Sequence, residues 1–227
     1  LLRIEPLDSP QPTGSGELKP LKDLPLVELP ASDTSQNMLA VIISGDGGWA
    51  NIDKKLGEYF SSKGVPVVGL NSLRYFWNRR TPDSAGIDLN RIITHYLALW
   101  KKEEALLVGY SRGADVLPFM TNRLPPETLK HVKGVVLLGL EESVDFQFHM
   151  SDWISGSPAK TALPVKPEVE KLRGLKLLCF CGQEEEQSLC RRLDTSWVKV
   201  IETSGGHHFG GDYESIARMI LEKLSGE

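Results

Sequence analysis

Ser111 stands in Gly109-Tyr110-Ser111-Arg112-Gly113, a G-x-S-x-G stretch. A hydroxyl is a poor nucleophile. Chemistry at Ser111 requires the side chain to be held out of a sheet on a strained strand-to-helix turn, beside a base and oxyanion donors. With glycine at about 7% of residues, a bare G-x-S-x-G arises by chance in roughly one chain in fifteen, so the partners decide its meaning. Downstream lie two candidates, the acidic run Glu184-Glu185-Glu186 and the loop Gly205-Gly206-His207-His208-Phe209. Glu185, third after Gly182, is the preferred acid, with Glu184 and Glu186 as alternatives. For the base, the G-x-x-H-F spacing from Gly205 favours His208, with His207 second. Upstream, Ser44-Gly45-Asp46-Gly47-Gly48-Trp49 is a glycine loop. It lacks the third glycine of a dinucleotide-binding G-x-G-x-x-G. Its Asp46 backbone N–H, with that of Arg112, suits an oxyanion hole, although the same glycines would also serve a plain tight turn.

The elements that must carry these residues follow from pattern. Met38 to Ile43, Val65 to Leu70, Ala105 to Gly109, Val132 to Leu140, Leu175 to Gly182 and Val198 to Ile201 are apolar runs of strand length. Continuous apolar runs are expected where a parallel strand is buried on both faces. Between them, apolar residues recur at helical spacing: Ile52, Leu56, Tyr59 and Phe60; then Leu89, Ile92, Ile93, Tyr96, Leu97 and Trp100; then Val116, Leu117 and Met120; finally Ile216, Ile220 and Leu224. Alternation of this kind specifies an α/β fold, a mostly parallel, doubly wound sheet with helices on both faces. Ligands in such sheets gather at the carboxyl ends of the strands, where every candidate catalytic residue falls. The chain order Ser, acid, His is that of the α/β-hydrolase fold.

Residues 1–36 carry six of the fourteen prolines and read as a linker or N-terminal extension, with Leu24 to Leu29 as a short edge strand bounded by Pro25 and Pro30. Residues 37–227 read as one α/β-hydrolase domain. Residues 141–172 lack periodicity and suit a small cap or substrate wall over the strand ends. Asn71 to Pro82 clusters Arg74, Tyr75, Phe76, Trp77, Arg79 and Arg80 without a period, as a loop or partial helix. Aromatic and guanidinium groups there suit an anionic, partly apolar substrate, and Arg74, Tyr75 and Trp77 are the candidate substrate-binding residues.

A net charge of −4 with no Lys/Arg block argues against a nucleic-acid partner. No apolar run approaches the roughly 18 residues needed to span a bilayer. The chain starts at Leu1 without a charged n-region or signal core, and reads as a processed piece of something longer. His95, His131 and His149 share no metal-ligand spacing, so neither metal nor cofactor is expected. An oxidising compartment would pair Cys190 with Cys179 or Cys181; a reducing one would leave all three as small buried hydrophobes.

Taken together, Ser44 to Trp49, Arg74 to Trp77, Gly109 to Gly113, the cysteines around the acidic loop and Gly206-His-His-Phe-Gly-Gly-Asp-Tyr213 resemble the bacterial VirJ/AcvB virulence-protein family over about residues 38–224. The resemblance implies a periplasmic α/β-hydrolase domain, exported by a signal peptide. It also implies hydrolysis of aminoacyl-phosphatidylglycerol, releasing lysine or alanine, and links to virulence and type IV secretion. The nucleophile would carry over to Ser111 and the histidine to the pair His207-His208. Cys181 beside the family's Cys179 leaves Cys190 two partners to choose from. On this reading the partners are an aminoacylated phospholipid headgroup at a membrane surface and type IV secretion or envelope proteins. The rival expectation is a hydrolase-like scaffold that binds such a protein without turnover.

Overall fold

The computed structural model describes residues 21–33, 35–148 and 161–225. Seven strands form one sheet: β1 (Leu26–Leu29), β2 (Met38–Ile43), β3 (Val67–Leu70), β4 (Glu104–Tyr110), β5 (Val132–Leu138), β8 (Leu177–Gly182) and β9 (Val198–Thr203), in the order β1-β3-β2-β4-β5-β8-β9. All neighbours are parallel except the edge strand β1, which runs antiparallel to β3. The sheet therefore takes in Leu26–Leu29 from the stretch read as linker. Pro25 and Pro30 confine this strand to the edge, where an absent N–H costs nothing on the open side.

The apolar runs are continuous because alternate residues feed two cores. In β2, Leu39, Val41 and Ile43 join one cluster while Ala40 and Ile42 join the other. The first cluster is closed by α3 (Pro82–Trp100) and α4 (Arg112–Thr121), the second by α1 (Asn51–Ser62) and α7 (Tyr213–Ser225). Helix α3 begins where Thr81 Oγ1 accepts from Ser84 N and Pro82 fills the first turn, and it ends at Lys101 in the left-handed region. Short helices α2 (Ser72–Tyr75), α5 (Pro126–Leu129) and α6 (Lys166–Glu170) and a two-stranded pair, β6 (Ser143–Val144) with β7 (Leu163–Pro164), complete the described fold. The pair and α6 lie within the segment expected to form a cap; residues 149–160 of that segment, with His149, lie outside the described residues.

The carboxyl ends of β4, β5, β8 and β9 and the loops that follow them are tied in series. Ser111 N donates to Leu138 O, Gln183 N to Thr203 O, Glu184 N to Gly205 O and Leu189 N to Leu140 O. Below them Cys179 is bonded to Cys190, and Cys181 is a buried free thiol. The bond closes a segment with a sequence separation of 11 that contains the acidic run. Closing a loop of that length restricts the unfolded chain by about 3 kcal/mol. Protein treated with dithiothreitol is expected to lose that much stability in a urea unfolding curve relative to the oxidised form.

Candidate active site

The turn after β4 is forced by contact. A Cβ on Gly109 would lie 2.4 Å from Gly113 O, and one on Gly113 would lie 2.0 Å from Ile43 O, so only glycine lets α4 start this close to β2 and β4. Ser111, between them, is held at φ 52° and ψ −125°, a backbone state that costs a non-glycine residue of order 1–3 kcal/mol. The strain lifts its side chain clear of the sheet.

Ser111 Oγ lies 2.9 Å from His207 Nε2, and His207 Nδ1 lies 2.6 Å from Glu185 Oε1. Glu185 can only accept, so Nδ1–H donates to it, and Nε2 is left to accept the Ser111 hydroxyl proton. The other carboxylate oxygen, Oε2, accepts from Gly182 N at 2.7 Å, which fixes the acid at the mouth of β8. Glu185 is largely buried while His207 keeps about a third of its side chain exposed. Of the three adjacent glutamates, Glu185 alone turns inward; Glu184 and Glu186 are exposed.

The imidazole that meets Ser111 is that of His207, which corrects the preference for His208. The ring of His208 meets Tyr110 instead, its Nδ1 2.8 Å from Tyr110 Oη. The glycine loop passes beside the serine: a Cβ on Gly45 would stand 3.4 Å from Ser111 Cβ, with Asp46 next along the chain. Arg112 is the first residue of α4, where an amide has no acceptor within its own helix. Its side chain is occupied elsewhere, Nη1 donating to Asp145 O at 2.7 Å and Gln147 O at 3.4 Å.

His207 opens onto a cleft of about 480 Å³ lined by Glu141, Glu184, Glu185, Glu186, Gln187 and Ser188. Four carboxylates and no cationic side chain line it. Glu141 is set there by Asp115, whose Oδ1 accepts from Glu141 N at 2.8 Å; burial pushes the Asp115 carboxyl well above its usual range. Sequence reasoning missed Asp115, and it missed Arg191, whose guanidinium donates to the carbonyls of Gly182, Gln183 and Glu185 and so grips the acid loop.

Arg74, Tyr75 and Trp77 are not brought to this cleft. They line a separate groove of about 750 Å³ beside β1, with Lys22, Leu73 and Arg80 among its walls. Tyr75 belongs to the core: it is 1% exposed and donates to Asp88 Oδ2 at 2.6 Å. Arg74 is exposed, and Trp77, also exposed, stacks on Phe148. Among the described residues no group of His, Cys, Asp or Glu is arranged to hold a metal ion, and no helix is long and apolar enough to cross a membrane.

The family model described as bacterial virulence protein (VirJ) matches residues 37–227. The chain belongs to the VirJ family. Among solved structures, this VirJ-family chain is similar to Est1E from Butyrivibrio proteoclasticus with bound ferulic acid. The TM-score is 0.60 at 12% identity, over 89% of this chain and 96% of that one. It is also similar to MenH from S. aureus, with TM-score 0.59, 15% identity and coverage of 88% and 97%. A third is the thioesterase domain from the curacin biosynthetic pathway, with TM-score 0.58, 14% identity and coverage of 86% and 94%. At these identities the likeness concerns the fold, which is that of the α/β hydrolases. No curated protein matches the sequence.

Proposed function

We propose that this VirJ-family domain is a serine hydrolase that cleaves the aminoacyl ester of lysyl- or alanyl-phosphatidylglycerol in the periplasm. The observation that carries the reading is the hydrogen-bonded series Ser111 Oγ, His207, Glu185 on a strained turn. Ser111 Oγ attacks the ester carbonyl carbon as His207 Nε2 takes its proton, and the amides of Asp46 and Arg112 receive the oxyanion. His207 returns the proton to the glycerol oxygen as that C–O bond breaks, releasing phosphatidylglycerol. Water, deprotonated by the same imidazole, then attacks the acyl carbon, and His207 passes that proton to Ser111 Oγ as its bond to the acyl group breaks, freeing the amino acid. Throughout, Glu185 holds the ring in one tautomer and balances the charge it gains.

The acidic cleft supports a cationic acyl group. An α-ammonium, and the ε-ammonium of lysine, would find the carboxylates of Glu141, Glu184 and Glu186 beside His207. The Cys179–Cys190 bond supports an oxidising compartment such as the periplasm. If the cleft reads the ammonium, Glu184→Gln combined with Glu186→Gln is expected to raise KM for a lysyl ester roughly three- to tenfold, and less at high salt. Steady-state kinetics against a neutral acyl ester of the same alcohol check this; an equal change on both esters would remove the argument from charge.

The deciding experiment is mass spectrometry of the intact protein after exposure to a fluorophosphonate, followed by assay on lysyl- and alanyl-phosphatidylglycerol. A single adduct, absent in Ser111→Ala, with release of the amino acid supports the reading. Absence of any adduct on folded wild type would favour a scaffold that binds an envelope partner without turnover.

A further inference from the structure

Tyr110, the residue before Ser111, touches three parts of the site with one side chain. Its Oη is 2.8 Å from His208 Nδ1 and 3.3 Å from His207 O. Its ring lies 5.5 Å from that of His207 and 6.3 Å from that of Phe209, centroid to centroid. Its opposite flank closes on the glycine loop, where a Cβ on Gly45 would stand 3.2 Å from Tyr110 Cδ1. Burial, reinforced by Tyr213, Asp53 and Glu185, pushes the phenol far above its usual pKa, so the hydroxyl remains a donor. Its one proton goes to His207 O, which can only accept, and Oη in turn accepts from His208 Nδ1–H, so both contacts are made at once.

The loop so gripped runs through several left-handed residues. Gly205, Gly210 and Gly211 stand at φ of 78°, 63° and 79°, and Phe209 at 51°. Glycines leave such a backbone with little resistance of its own, while His207 must keep Nε2 within hydrogen-bond reach of Ser111. The buried ring of Phe209 anchors the far side, and Glu184 N holds Gly205 O on the near side. Between them, Gly211 N holds His208 O, while Tyr110, on the same strand end as the nucleophile, holds His207 O and the His208 ring.

We propose that Tyr110 and His208 form a clamp that holds His207 in register with Ser111, and so act as positioning residues for the reaction proposed above, on which this inference rests. The two histidines then divide the work: one moves the proton and the other fixes where that happens. Misplacement by about 1 Å can cost a catalytic group 10²-fold. Tyr110→Phe, which removes only the hydroxyl, and His208→Ala are each expected to lower kcat roughly ten- to a hundredfold with KM little changed.

A double-mutant cycle on a soluble aminoacyl ester tests the clamp, with thermal unfolding to check that each variant folds. The combined variant should be no slower than the worse single one, because both remove the same bond. His208→Asn, whose amide NH₂ can donate where Nδ1–H does, should recover most of the rate. Additive losses, losses in KM alone, or Asn performing no better than Ala would overturn the proposal. A second readout does not depend on turnover: in proton NMR the downfield signal of the Glu185–His207 bond should broaden or vanish in Tyr110→Phe. Its persistence unchanged would also overturn the clamp. Failure of wild type to take the fluorophosphonate would sink the hydrolase reading instead, leaving the clamp to be judged on that signal.

Discussion

Ser111→Ala is expected to lower kcat on an aminoacyl ester by about 10⁴- to 10⁶-fold, and His207→Ala by a similar factor. The reason is that the two act as one unit: without the hydroxyl nothing attacks, and without Nε2 the hydroxyl keeps its proton. The residual rate would come from the oxyanion donors and binding alone. Because the two removals take away a single function, Ser111→Ala with His207→Ala should be no slower than either by itself. His208→Ala serves as the contrast, with a loss smaller by at least two orders of magnitude. Single-turnover release of labelled lysine, with the fluorophosphonate adduct measured in parallel, checks all four. Equal losses for His207→Ala and His208→Ala would mean that the 2.9 Å approach of His207 to Ser111 is not the working one.

The contrast between these histidines also marks where sequence stops being informative. Strand runs such as Met38 to Ile43 were legible because burial on both faces leaves no polar position to interrupt them. The serine turn was legible because its two glycines are demanded by contacts of 2.4 and 2.0 Å to backbone. Which of two adjacent imidazoles faces Ser111 depends instead on the loop's dihedrals, Gly205 at φ 78° and Phe209 at φ 51° among them, and not on residue type. A signal was present in Tyr110, a phenol beside the nucleophile that needs a buried partner, but its partner lies 98 residues away.

The cysteines and Tyr75 failed for related reasons. Cys179 and Cys181 are two apart on β8 and share a face, so spacing could not choose between them; the one-turn helix at Leu189–Arg192 sets Cys190 against Cys179. Tyr75 sits in an aromatic-rich stretch with no period, which reads as a loop or partial helix that meets substrate. Asn71, whose side chain accepts from Arg74 N, starts a single helical turn there and sends the Tyr75 ring inward to Asp88. An Asn before a short apolar stretch is a recognised helix start, and read that way it would have placed Tyr75 in the core.

The acid offers the second large effect. Glu185→Gln keeps the shape of the side chain and removes its charge, and an amide can present either its oxygen or its NH₂ to His207 Nδ1. With the NH₂ facing the ring, the imidazole must place its proton on Nε2, the wrong tautomer to accept from Ser111. With the oxygen facing it, the imidazolium formed during attack goes unbalanced. A loss in kcat of about 10³- to 10⁴-fold is expected, with KM little changed because both oxygens of Glu185 are already engaged. Glu184→Gln and Glu186→Gln, at the exposed positions on either side, should act mainly through KM for a cationic ester. The split is physical: Glu185 Oε2 is tied to Gly182 N and Oε1 to His207, so both its oxygens are spent on holding the base. Its exposed neighbours make no side-chain hydrogen bond among the described residues and can meet an ammonium. A kcat loss at Glu184 or Glu186 as large as that at Glu185 would mean that the loop can present another carboxylate to His207. In that case Arg191, which grips the carbonyls of Gly182, Gln183 and Glu185, would be the residue to replace next.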